Sequence, residues 1–197
     1  MTTREIILDF SALYQRPASR HTIRTGAPVA HYHYRDEIGR LLFKVVRYAN
    51  PKSFAQWRPH SSGLWIHNLN GTRRVLYRLP ELLAADRFQW VFLCEGEKDA
   101  DNTAAHGLVA TTAPMGAGKW RDEYAEFLRG RRVAIVPDND QAGREHAAQI
   151  AASLEGIAAF VRVIKLVGVA EHGDVSDWFD AGGAAATLLG VLRESMR

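Results

Sequence analysis

Four carboxylates stand beyond runs of apolar residues: Glu95 after Trp90–Cys94, Asp138 and Asp140 after Val133–Val136, and Asp174 in the stretch that follows Phe160–Leu166. A short continuous apolar run reads as a strand covered on both faces, the habit of a parallel sheet. In an open parallel sheet the carboxyl ends of neighbouring strands share one edge, where ligands bind, so the four acids are expected to converge. Ionised carboxylates gathered together repel, and hard cations or arginines are the usual means of holding them. Mg²⁺ takes few carboxylates, keeps waters and favours substrate phosphates, which makes metal-assisted phosphoryl transfer the chemistry to expect. Asp138-Asn139-Asp140 alone reads more readily as a polar turn capping a helix that begins near Ala142. It is the company of Glu95 and Asp174 that points to a site. Asp99 is expected to support the acids from behind, and Glu97 receives no role, since acids in a first helical turn also complement the helix dipole.

The elements that must position these residues alternate. After the strand at 90–94, a helical stretch Glu97–His106 ends at Gly107, and Leu108–Thr111 is a candidate strand. Helices are expected at Lys119–Arg129, Gln141–Leu154 and Ala184–Glu194, with strands at Val133–Val136 and Phe160–Leu166 between them. This succession predicts a mostly parallel, doubly wound α/β sheet flanked by helices. Before it, residues 28–80 read as a small β-rich region. A hairpin joins Ala30–Tyr34 to Arg40–Tyr48 around Asp36–Gly39, and short strands follow at Phe54–Trp57, Leu64–His67 and Arg74–Tyr77. Residues 1–27 are weakly patterned, with one short helix expected.

The chain has 197 residues, 47% hydrophobic and 24% charged, enough for one domain or two small associated ones. No apolar run approaches a membrane span, and charge enters too early for a secretory signal, so a soluble, cytoplasmic protein without membrane partners is expected. A single cysteine, Cys94, excludes a disulfide framework and a paired-cysteine zinc finger. It reads as a small buried residue. The net charge of +3 hides a division, +8 over residues 1–94 and −5 over residues 95–197. A basic front half suits a polyanion, with arginine the dominant cation.

Some patterns fall short. Pro114–Trp120 echoes a phosphate-binding loop, but Ala113 and Trp120 stand where a glycine and a hydroxyl residue are needed; only Lys119 is kept as a phosphate candidate. His31 and His33 share a strand face without a third ligand, and His146 sits in the alanine-rich helix without an evident partner.

Glu95-Gly96-Glu97-Lys98-Asp99 after an apolar strand, Asp138-Asn139-Asp140 with Gly143 following, and Gly173-Asp174-Val175-Ser176-Asp177-Trp178 together resemble the TOPRIM domain of bacterial primases, topoisomerases and some nucleases, over about residues 90–182. The resemblance implies Glu95 as general acid or base, Asp138 and Asp140 as metal-binding, and a third acidic loop at Asp174 with Asp177 beside it. Tyr34-Arg35-Asp36 with Gly39, Lys52 with Phe54, and Leu76-Tyr77-Arg78-Leu79 are similar to the basic flank of the primase core, especially in phages, plasmids and integrated elements. In that family the flank holds template and nucleotide phosphates. Arg47, Lys52, Arg58, Arg73 and Arg74 are the candidates here, interleaved with Tyr48, Phe54, Trp57 and Trp65.

The expectation is a basic β-rich primase-like region at residues 1–87 and a TOPRIM domain at residues 88–197. It implies an Mg²⁺- or Mn²⁺-dependent nucleotidyltransferase that makes primers in DNA replication from single-stranded DNA and nucleoside triphosphates. A helicase or other replication protein is the further partner implied. Phosphodiester hydrolysis by a TOPRIM nuclease, or a non-catalytic nucleic-acid-binding module, would use the same residues and stays open.

Overall fold

The computed structural model describes residues 26–116 and 118–196; the helix expected near the N-terminus lies outside them. Alternating side chains build the first sheet. β1 (Pro28–Arg35) pairs antiparallel with β2 (Leu41–Tyr48), β2 with β3 (Ser53–Pro59), and β3 with the short β4 (Trp65–Ile66). The hairpin turn is held by Asp36, whose Oδ1 accepts from the N–H groups of Ile38 (3.1 Å) and Arg40 (2.8 Å). On one face of this sheet Tyr32, Tyr34, Phe43 and Val45 are buried.

The second sheet is parallel throughout, in the order β6 (Val109–Thr111), β5 (Trp90–Cys94), β7 (Arg132–Val136), β8 (Phe160–Val163). All five residues of β5 are buried, as the unbroken apolar run requires. Helices α2 (Glu97–Ala105) and α3 (Gln141–Ser153) pack against it, and α5 (Ala185–Glu194) closes the chain. Cys94 is buried, and burial pushes its thiol up to about 12, the behaviour of an inert core residue. Among the described residues no helix is long and apolar enough to cross a membrane.

Three expectations change. Arg74–Tyr77 forms no strand: Val75, Leu76 and Tyr77 are buried in succession rather than in alternation, and the Tyr77 N–H donates to the Thr112 carbonyl at 2.9 Å beside β6. The α-helix expected over Lys119–Arg129 is a 3₁₀ segment at Asp122–Leu128, in which Tyr124 N–H bonds the Arg121 carbonyl three residues back. Edge-on contact between Trp120 and Tyr124 (5.6 Å) and burial of Leu128 anchor this segment to the core. His146 does have a partner, since its Nδ1 accepts from the Gly118 N–H at 3.2 Å. Two helices were not foreseen, α1 (Leu79–Ala84), which carries proline in its first turn, and α4 (Val175–Asp180).

The two sheets share one hydrophobic cluster, in which Tyr34 stacks on Phe43 at 4.4 Å and lies 5.2 Å from Tyr77. At its edge the Tyr34 hydroxyl donates to Glu97 Oε1 at 2.8 Å, a bond across 63 positions between β1 and the first turn of α2. Burial raises the Glu97 carboxyl, while Tyr34 and the Met115 N–H oppose that rise by binding its charged form. Tyr34→Phe should therefore cost about 1–3 kcal/mol, the penalty of a buried acceptor left short of a donor. The loss should be larger at pH 8 than at pH 5, because the hydroxyl stabilises the ionised carboxylate. Urea denaturation at both pH values measures it, and equal losses would contradict the assignment.

Candidate functional site

Parallel pairing sets the site. Cys94 and Val136 are register partners, so Glu95 and the Asp138 loop emerge side by side where the sheet order reverses between β6–β5 and β7–β8. The Asp138 N–H lies 3.4 Å from Glu95 Oε2 as a long hydrogen bond. Gly143 permits this approach: a Cβ there would lie 2.5 Å from the Asp138 carbonyl oxygen and 3.1 Å from Glu95 Oε2. Here opens a cleft of about 250 Å³, lined on one side by Glu95, Asp99, Asp138 and Asp174 and on the other by Arg47, Lys52 and Phe54 of the antiparallel sheet region.

The acids crowd one another. Burial, then the charges of Glu95, Asp99, Asp174 and Asp140, push the Asp138 carboxyl from 3.8 up to about 7. Burial also raises Glu95, an effect opposed by the Asp138 N–H and by Lys52. Lys98 offsets part of this charge, with its Nζ 2.7 Å from Asp174 Oδ2 and 3.6 Å from Asp99 Oδ1. For Asp174, burial is outweighed by the bonds from Lys98 and from the Asp177 N–H, and its carboxyl is held below the ordinary value.

Several expected residues have structural duties as well. Asp140 caps α3, accepting from the Gly143 N–H at 2.7 Å, and its other oxygen meets His172 Nδ1 at 3.2 Å; it does not line the cleft. Asp174 and Asp177 form a reciprocal capping box at the start of α4, each side chain accepting from the other's N–H at 2.9 Å. Asp99, buried behind the acids, accepts from Ser176 Oγ at 2.6 Å and so ties α2 to α4. Among the described residues no three His, Cys, Asp or Glu side chains stand close enough together to hold one ion.

Of the basic candidates, Arg47 and Lys52 reach the cleft. Arg58 instead bonds Asn68 at 3.2 Å, Arg73 grips Glu37 through two bonds of 2.9 and 2.6 Å, and Arg74 lies near Tyr124. Lys119 is exposed and lines neither side of the cleft. Sequence reasoning assigned no role to Glu97, Lys98 or Asn139. Asn139 stitches the two acidic loops together: its amide donates to the carbonyls of Val169 (3.0 Å) and Ala170 (3.1 Å), and its N–H to that of Gly173 (2.9 Å). Its place between two aspartates was the one available signal.

Replacing Asp138 with Asn should remove a repelled charge. In the unfolded chain the carboxyl ionises near 3.8 and in the fold near 7, so the folded state holds the extra proton and its stability falls as pH rises between those values. Asp138→Asn should therefore raise the melting temperature by about 3 °C or more at pH 8 and have little effect below about pH 4. Thermal melts across that range test this, and a gain independent of pH would refute it.

No protein-family model matches the sequence, and no curated protein matches it. Solved structures do match its fold. The DnaG primase catalytic domain bound to single-stranded DNA superposes with a TM-score of 0.59 at 18% identity, covering 81% of this chain and 50% of that one. The primase fragment of the bacteriophage T7 primase-helicase gives 0.50 at 18% identity, over 77% of this chain and 58% of that one. A T7 primase domain bound to an RNA/DNA hybrid and dTTP, in a complex with the lagging-strand DNA polymerase, gives 0.50 at 21% identity, over 84% and 74%. The chain thus spans about half the length of the first two. With its parallel sheet, its antiparallel flank and the acid-lined cleft between them, this chain has the fold of the primase catalytic core.

Proposed function

We propose that the protein is a primase-like core that binds single-stranded DNA and nucleoside triphosphates and carries out divalent-metal-dependent nucleotidyl transfer in DNA replication, in the cytoplasm. In this reading residues 1–87 form the basic flank and residues 88–197 the TOPRIM domain. The observation that carries it is the cleft in which Glu95, Asp138 and Asp174 face Arg47 and Lys52. Acids on one wall suit a cation, cations on the other suit phosphate, and a triphosphate needs both.

The donor set fits Mg²⁺ or Mn²⁺. It consists of hard carboxylate oxygens on an open cleft, and Mg²⁺ is ordinarily held by one or two carboxylates plus substrate phosphates rather than by an all-protein cage. Glu95 and Asp138 are the proposed holders, with Asp174 on the same wall; Asp140, expected as a ligand, is instead committed to the α3 cap and His172. When bound, the metal supplies positive charge to the phosphoryl oxygens. The chain's own residues do the rest: Arg47 and Lys52 take up the phosphates, Glu95 serves as the base, and Lys98 keeps the acid wall compensated when no metal is present. A helicase or another replication protein is the proposed partner.

Purified protein incubated with single-stranded DNA, labelled nucleoside triphosphates and Mg²⁺ or Mn²⁺ should yield new strand product, reduced about 10²- to 10⁴-fold by Glu95→Gln. Lys52→Ala should weaken triphosphate binding while leaving metal binding in place. Cleavage of the template without triphosphate binding would establish hydrolysis instead, and DNA binding with neither reaction would leave a binding module.

Lys98 provides a separate check. Removing its charge with Lys98→Met frees Asp174, and Mn²⁺ affinity measured by calorimetry should rise by up to about fivefold, the worth of a partly exposed ion pair. A weaker or unchanged affinity would show that Lys98 does not compete with metal.

A further inference from the structure

A second cleft, of about 350 Å³, opens on the other side of the Asp138 loop, between the carboxyl ends of β7 and β8. Its volume lies at the lower end of the range typical of small-ligand sites. Its walls include the apolar side chains Val163, Leu166 and Val169, and its cations are Arg144 from the first turns of α3 and Lys165 from the segment after β8. Val163 is 52% exposed, although it ends a strand of the central sheet.

This cleft is a built feature. Asn139 closes the loop after β8 with bonds to Val169, Ala170 and Gly173, and the His172 N–H returns a bond to the Asn139 carbonyl at 3.1 Å. The loop packs so tightly on itself that a Cβ on Gly173 would collide with Val169 Cγ1. The two cations remain available at the rim. Arg144 spends one nitrogen on Gln141 Oε1 at 3.2 Å, and both it and Lys165 are exposed.

An apolar wall beside two cations is the chemistry of a flat ring joined to a phosphate. We propose that this second cleft binds a nucleotide, its base against Val163, Leu166 and Val169 and its phosphate toward Arg144 and Lys165, placing Asp138 between two nucleotide sites. The role of this nucleotide rests on the proposed nucleotidyl transfer, whereas its binding does not. To start a chain, the transfer must hold two nucleotides together. The 3′-oxygen of the acceptor bonds to the α-phosphorus of the triphosphate, the bond from that phosphorus to the bridging oxygen breaks, pyrophosphate leaves, and the hydroxyl proton passes to Glu95. The triphosphate occupies the cleft of Arg47 and Lys52, and the second cleft holds the acceptor. Asp138 lines both.

The test is a titration of the full chain with AMP, without metal, followed by methyl NMR. Val163, Leu166 and Val169 report on the second cleft, and Met115 reports on the first. The expected result is a saturable shift of the valine and leucine methyls. Arg144→Ala with Lys165→Ala should weaken it about tenfold or more, and Lys52→Ala should leave it unchanged. Both rim residues are exposed, so the double variant keeps its fold. Shifts confined to Met115, or undiminished binding by the double variant, would overturn the proposal. Equal binding of inorganic phosphate would do the same by showing that only an anion is recognised. Should the protein fail to join nucleotides while AMP still moves these methyls, the second site stands and the nucleotidyl-transfer reading falls.

Discussion

Mutual repulsion among carboxylates at one sheet edge is the constraint to which much of this structure answers. Glu95, Asp99, Asp138 and Asp174 line one small cleft, and burial, reinforced by the charges of its neighbours, lifts Asp138 to about 7. Such a cluster persists only when neighbouring groups oppose the repulsion. Lys98 pairs with Asp174 and Asp99, Lys52 acts on Glu95, and backbone N–H groups serve Glu95, Asp140 and Asp174. The remaining excess of negative charge is what makes the cleft suited to a cation.

Holding the acids in place requires contacts that are not themselves chemical. Asp140, Asp174 and Asp177 use their side chains to start helices α3 and α4, so the acidic loops are fixed by the same oxygens that give them charge. Asn139 joins one loop to the other, and Asp99 with Ser176 joins α2 to α4. The capping reading of Asp138-Asn139-Asp140 and the site reading are thus compatible: a cap fixes where the turn lies, and the turn fixes where Asp138 points into the cleft.

The antiparallel sheet completes the cleft from outside. Its inner face enters the common core through Tyr32, Tyr34, Phe43 and Val45, which sets Arg47 and Lys52 opposite the acids. Arginines elsewhere in the basic half are committed differently, Arg73 to Glu37 and Arg58 to Asn68. The net charge of the front half therefore does not count the cations turned toward the cleft: of the basic candidates in that half only Arg47 and Lys52 line it.

Much of the parallel sheet was legible in the residues. Unbroken apolar runs at Trp90–Cys94 and Val133–Val136 read as strands covered on both faces, which they are, and the acids that follow them were expected at the sheet's carboxyl edge. The hairpin around Asp36 was legible for the same local reason, a turn cluster between alternating strands. What composition could not decide was which charges meet. Glu97 finds Tyr34 across 63 positions, Lys98 finds Asp174 across 76, and Arg74–Tyr77 gives up strand structure to pack beside β6. Local pattern records how a residue relates to its near neighbours in the chain, and so it determined the elements and the edge that bears the acids. The pairing of ions, the burial that shifts them and the second cleft arise from segments remote in sequence meeting in space, and only the tertiary structure decided those.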